Sequence, residues 1–137
     1  MSPVKASRVE KAAQGLRHMR SSGASSALVE DAGERLDAAR GPETPIELAV
    51  VIPTYNERGN VRPMLSALAE ALTGIEWEVI FVDDHSADGT ADAVREAAQT
   101  NRNVRVLERI GRRGLASACI EGMLATAAPY VAILDAD

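Results

Sequence analysis

Hydrophobic patterning changes character near residue 45. Residues 46–52 form a nearly continuous apolar run, Ile46-Glu47-Leu48-Ala49-Val50-Val51-Ile52, which is the pattern of a strand covered on both faces. A polar stretch over 53–59 follows. Asn60 then stands where it can cap a helix that carries Val61, Met64, Leu65, Leu68 and Leu72 on one side, with Gly74 to end it. The same reading predicts a strand over 77–82 and a helix over 90–99 bearing Ala91, Val94 and Ala98. A shorter strand is expected over 104–107. A helix over 115–127 turns Leu115, Ala118, Cys119, Gly122 and Met123 inward, and a last strand occupies 130–134. The order β-α-β-α-β-α-β with right-handed crossovers makes the strands parallel, so the fold class is α/β.

Residues 1–45 read differently, as an N-terminal extension that is helical or disordered, ahead of a domain over 46–137. Val9, Ala12, Ala13, Leu16 and Met19 recur at helical spacing, with Lys5, Arg8, Lys11, Arg17 and Arg20 on other faces. Such a cationic helix could lie on an anionic membrane surface. Its small apolar face favours a frayed, mostly solvated helix instead. Ser21-Ser22-Gly23-Ala24-Ser25-Ser26 reads as a flexible break. A second short helix is expected over 28–40, acidic at its start and basic at its end, closed by Gly41-Pro42 and Pro45.

Composition narrows the picture. Aromatics are only 3% of the 137 residues, so the core must be built from aliphatic side chains. A net charge of -5 argues against a nucleic-acid binder, which needs a basic face. Only two of the 15 basic residues are lysines, a bias that gives no single arginine special weight. The lone Cys119 can form neither an internal disulfide nor a thiolate metal site, and packing is its expected role. No apolar run reaches the ~20 residues of a membrane span, and a secretory h-region is absent, so a cytoplasmic chain is expected.

Ligands of an open parallel sheet bind outside the carboxyl ends of its strands. Polar clusters fall at those ends: Pro53-Thr54-Tyr55-Asn56-Glu57 after strand one, Asp83-Asp84-His85-Ser86 after strand two, and Asp135-Ala136-Asp137 after strand four. Strand three leads into Arg109 and Gly111-Arg112-Arg113-Gly114. The topology therefore gathers Glu57, Asp83, Asp84, Asp135 and Asp137 on one edge. Assembled carboxylates repel unless a cation intervenes. All-oxygen donors select Mg²⁺ or Mn²⁺, which use one or two carboxylates and fill their remaining positions with water and phosphates. Such a metal would stabilise a diphosphate leaving group. Ser86, Asp88 and Thr90 are better read as caps of the next helix. His85 is read as an ordinary loop imidazole. Tyr55 could stack on a nucleotide base or cover the edge of the core.

Three motifs in order, Val50-Val51-Ile52-Pro53-Thr54-Tyr55-Asn56-Glu57, then Val82-Asp83-Asp84-His85-Ser86-Ala87-Asp88-Gly89-Thr90, then Ile133-Leu134-Asp135-Ala136-Asp137, resemble the inverting glycosyltransferases of family 2 with the GT-A fold. The likeness is strongest to the polyprenyl- or dolichyl-phosphate mannose synthase branch, and it covers about residues 48–137. It implies a partial GT-A, Rossmann-like sheet in which Pro53, Tyr55 and Glu57 line the nucleotide pocket. Val82 and Asp84 would contact base and ribose. Asp135, Ala136 and Asp137 would meet ribose, diphosphate and metal, with Asp135 and Asp137 as the metal ligands. The implied donor is GDP-mannose or UDP-glucose. The implied acceptor is a polyprenyl phosphate, reached at the cytoplasmic membrane face.

Two positions depart from the branch: Ile110 stands where proline is usual, and Ala116 where glycine is frequent. Family members also continue beyond the Asp-x-Asp pair. The chain is therefore expected to be a fragment, inactive alone, whose general base lies beyond residue 137. A receiver- or phosphatase-type phosphoryl-transfer domain fits poorly, because its decisive Asp would follow strand one. A non-catalytic nucleotide-binding or interaction module is the alternative from another class.

Overall fold

The computed structural model describes residues 3–21 and 44–137. The helix expected over 28–40 and most of the serine-rich break before it lie outside the described residues. Among the described residues eight elements follow one another: α1 (Pro3–Ser21), β1 (Leu48–Thr54), α2 (Arg58–Ala71), β2 (Trp77–Asp83), α3 (Thr90–Thr100), β3 (Val104–Glu108), α4 (Leu115–Leu124) and β4 (Tyr130–Ile133). The four strands form one sheet in the order β3-β2-β1-β4, with every pairing parallel. The expected α/β architecture is thus present. The last helix stops three residues earlier than its periodicity suggests, at Leu124.

Alternation along the strands divides the core. Leu48, Val50 and Ile52 of β1 and Trp77, Val79 and Phe81 of β2 face the side covered by α1, α2 and α3. Val51, Ile80 and Val82 face α4 and meet Ala118. Both faces of β1 and β2 are therefore dry, which is why their sequences read as unbroken apolar runs.

α1 departs from the solvated helix favoured by its small apolar face. Val9, Ala13 and Leu16 are fully buried in the same cluster as Met64, Leu68, Leu134 and Ala136. Arg17 donates through Nη2 to the carbonyl oxygen of Ala71, at the end of α2, at 2.8 Å. Three buried side chains suffice because they meet an apolar face already assembled by α2 and the sheet, so that surface faces protein and not lipid. No helix among the described residues is long and apolar enough to cross a membrane.

The start of α2 is also corrected. It begins at Arg58, with Glu57 as its capping position, and Asn60 lies inside the first turn. The cap comes from a neighbouring loop: Asp88 Oδ2 accepts the Arg58 N–H at 3.1 Å, while its Oδ1 accepts the Thr90 N–H of α3 at 2.9 Å. One carboxylate thus closes the N-termini of two adjacent helices. Burial alone would raise the Asp88 pKa, but hydrogen bonds from the Thr90 hydroxyl and the Arg58 and Thr90 amides outweigh it, and the value is lowered from 3.8. A depressed carboxyl contributes stability above its unfolded pKa and loses it as pH falls through the folded value. Asp88→Ala should cost about 1–2 kcal/mol at pH 7. In a denaturant titration this difference should shrink as pH falls below the ordinary value of 3.8 and through the lowered value of folded Asp88.

On its outward side α4 is barely covered. Leu115 and Leu124 are 69% and 80% exposed, and Ile120, Met123 and Ile133 are also exposed. Of the five residues expected to point inward, only Ala118 and Gly122 are buried, and Cys119 is half-buried. The reason is packing: α4 lies so close to the sheet that only its smallest side chains fit beneath it.

Candidate active site

The strand order reverses between β1 and β4, since β2 and β3 build outward on one side of β1 and β4 on the other. At such a switch point the loops after the two central strands diverge and leave a crevice at their carboxyl ends. Pro53 and Asp135 lie on either side of it. Together with Arg8, Lys11, Leu115 and Cys119 they line an open cavity of about 460 Å³. Arg8 and Lys11 come from α1, so the N-terminal helix contributes to the site's wall.

The β1 loop is fixed by cross-stitching to the β2 loop. The Asn56 N–H donates to Ser86 Oγ (2.8 Å), the Ala87 N–H to Asn56 Oδ1 (3.2 Å) and the Glu57 N–H to Thr90 Oγ1 (3.0 Å). Asn56 takes a positive φ of 55°, a left-handed turn that asparagine tolerates. The turn leaves Tyr55 half exposed, with the Arg113 guanidinium 4.9 Å from its ring centre. Ser86 and Thr90, read from the sequence as caps of the next helix, are thus largely inter-loop ties. Glu57 is half-buried and accepts a hydrogen bond from the Asn60 side-chain amide.

The acidic residues after β2 are occupied internally. Asp83 is fully buried, its Oδ1 accepting from Thr54 (3.0 Å) and Ser86 (2.6 Å), its Oδ2 from the Ser86 N–H (2.9 Å). Asp84 accepts the Gly114 N–H through Oδ2 at 2.8 Å, and its Oδ1 lies 3.2 Å from Nε of the fully buried Arg109. Val82 is buried beneath α4, its side chain part of the core. His85 has a partner in Glu108 at 3.0 Å. Glu108 also pairs with Arg95, and hydrogen bonds from Arg95 and then His85 lower its pKa.

Asp135 and Asp137 stand apart from this. Both are exposed, while Ala136 between them is buried in the core cluster, so the pair flanks an anchored residue. The Asp135 pKa is raised, first by its hydrogen bond with Asp137, then by burial and by the Asp137 charge; Arg8 acts the other way. Two neighbouring carboxylates of this kind offer a hard, all-oxygen donor pair, and a divalent cation would offset their mutual repulsion. Among the described residues no three acidic, imidazole or thiol groups converge. The five acids of the strand ends therefore share an edge but do not form one cluster. A two-carboxylate site suits Mg²⁺ or Mn²⁺, which take further oxygens from water and phosphate.

Sequence reasoning did not single out Arg109 or the wall provided by α1. The register was the available signal for Arg109. Asp83 pairs with Glu108, so the next residues, Asp84 and Arg109, fall side by side with opposite charge.

A parallel sheet in the order 3-2-1-4 with polar loops at the switch point belongs to the open α/β class that binds ligands at the carboxyl ends of its strands. Residues 49–137 match the sequence model of glycosyl transferase family 2, and the chain belongs to that family. It is 36% identical over 95 residues to a dolichol-phosphate mannosyltransferase of Saccharomyces cerevisiae, covering 67% of this chain and 36% of the relative. It is 36% identical over 92 residues to the Pyrococcus furiosus enzyme of the same name, covering 67% of this chain and 26% of that one. The chain thus spans about a third or less of these relatives' lengths. Among solved structures, the mannosyltransferase PcManGT of Pyrobaculum calidifontis, in complex with GDP-Man and Mn²⁺, superposes with a TM-score of 0.58 at 27% identity, covering 94% of this chain and 39% of that one. Glucosyl-3-phosphoglycerate synthase of Mycobacterium tuberculosis, with Mn²⁺ and UDP, shares the fold at 22% identity and a TM-score of 0.55, over 67% of this chain and 34% of that one.

Proposed function

We propose that this chain supplies the nucleotide-sugar and metal subsites of an inverting hexosyltransferase that uses GDP-mannose or UDP-glucose and a polyprenyl phosphate acceptor. The observation that carries this reading is the exposed Asp135–Asp137 pair just after β4, with Asp135 lining the same switch-point cavity as Pro53. The names of the curated relatives support the acceptor class, and the GDP-Man and Mn²⁺ of the structural neighbour support the donor.

Each residue then has a physical task. Tyr55 presents a ring face for a base, on a loop held rigid by Ser86 and Thr90. Pro53 and Glu57 border the same pocket. Asp84, its Oδ2 bound to Gly114 and its Oδ1 against Arg109, fixes the loop that borders the ribose and base, and Val82 lies in the core beneath it. Asp135 and Asp137 would hold Mg²⁺ or Mn²⁺, and Ala136 fixes the spacing between them by being anchored in the core. When bound, such a cation neutralises charge that develops on a departing diphosphate. Acceptor contact at the cytoplasmic face of a membrane completes the reading.

Calorimetry tests it. GDP or UDP should bind the 137-residue chain in the presence of Mn²⁺, at least about tenfold more tightly than in EDTA. Equal and negligible heats under both conditions would sink the proposal and leave a non-nucleotide interaction module as the better account.

A further inference from the structure

Arg109 is the largest fully buried side chain among the described residues. A guanidinium removed from water is strongly unfavourable unless charges and acceptors surround it, and an apolar replacement of similar size is often no less stable. Its surroundings show what it holds. Nη1 donates to the Gly114 carbonyl at 3.3 Å and Nη2 to Ser117 Oγ at 2.8 Å. Nε lies 3.2 Å from Asp84 Oδ1 and 3.7 Å from Glu121 Oε1. Asp84 Oδ2 in turn accepts the Gly114 N–H. Gly114 is therefore gripped at both its amide and its carbonyl by the two members of one buried ion pair. Its φ of 127° is a conformation that side-chain-bearing residues rarely adopt. The loop that ends there carries Arg112, tied to Glu121 at 3.2 Å, and Arg113, which reaches the Tyr55 ring. Contacts thus run from the end of β3, past β2, to the end of β1.

We propose that Arg109 is a positioning residue. By fixing Asp84 and Gly114 as one unit, it sets the 110–114 loop across the strand ends and so places Arg113 over Tyr55. The ligand expected there rests on the nucleotide-sugar reading above, whereas the loop geometry does not. Lysine at this position keeps the charge but lacks the planar fork that reaches three segments at once.

Trypsin reports on the loop directly, because Arg112 and Arg113 are cleavage sites within it. In Arg109→Lys, cleavage after these residues should accelerate about tenfold through local opening, while cleavage after Arg58 and Arg95 on α2 and α3 keeps its wild-type rate. Mn²⁺-dependent GDP affinity should fall about tenfold in the same variant. Ser117→Ala, which removes one acceptor of the guanidinium, should move both readouts in the same direction by about threefold, and it decides the matter if Arg109→Lys does not fold. Wild-type cleavage rates within the loop would overturn the proposal, as would equal acceleration at all sites, which marks a merely structural role. If wild-type protein binds neither GDP nor UDP, the nucleotide reading fails, and the cleavage pattern still decides for or against Arg109.

Discussion

Gly122→Ala should lower the melting temperature of this protein by about 8 °C, although alanine is the better helix former. A Cβ built at Gly122 meets Val51 Cγ1 at 2.3 Å, Val82 Cγ2 at 3.0 Å and Val51 Cγ2 at 3.2 Å. Both valines are fully buried in the central strands, and their branched side chains have little rotameric freedom to move aside. Overpacking of this kind costs up to about 3 kcal/mol, against about 1 kcal/mol gained from helix propensity. The net loss is about 2 kcal/mol, and a domain of this size loses about 4 °C for each. Val51→Ala removes the clashing methyls, so the double variant should be less destabilised than the sum of the single changes. A thermal melt of Gly122→Ala equal to wild type would show that α4 is not seated where the structure places it.

Asp137→Asn should weaken Mn²⁺-dependent nucleotide binding about a hundredfold and yet leave the metal-free protein no less stable at pH 7. The sign follows from Asp135. Its folded pKa is raised above 3.8, chiefly by the hydrogen bond with Asp137, so the folded state holds that proton more tightly than the unfolded chain does. Such a group disfavours folding once pH exceeds both values. Removing its charged neighbour relieves that penalty, which is small at so exposed a site. In wild type a cation at 100 times its dissociation constant adds about 2.7 kcal/mol, and this gain should vanish in the variant. Melting curves in EDTA and in Mn²⁺ should therefore rank the two proteins in opposite orders. Mn²⁺ affinity should also decline as pH falls through the raised Asp135 value, where proton and cation compete. A variant that retains the full Mn²⁺ effect would remove this pair from the metal site.

The sheet was legible in the sequence because parallel strands dry on both faces leave long apolar runs, as at Val50-Val51-Ile52 and Val79-Ile80-Phe81-Val82. Candidate residues were legible as polar clusters at strand ends. What escaped depends on partners distant along the chain. Nothing near Arg58 announces that Asp88, 30 residues later, will cap its helix. Nor does the Asp83-Asp84 pair reveal that Thr54, Ser86 and Gly114 satisfy it from within. The docking of α1 rests on three small contacts, too few for a periodicity argument to distinguish from a solvated helix. Arg109 was discounted with the other arginines, because composition carries no information about register.

The buried face of α1 has a further consequence for the order in which the molecule is made. This helix precedes all four strands of the sheet, yet the cluster that receives Val9 and Leu16 includes Leu134 and Ala136, which follow β4. Its tie to Ala71 spans 54 positions. A nascent chain must therefore carry this helix without its full partner until β4 and the residues just after it have been translated. During that interval the exposed stripe of Val9, Ala13 and Leu16 is a natural substrate for a chaperone.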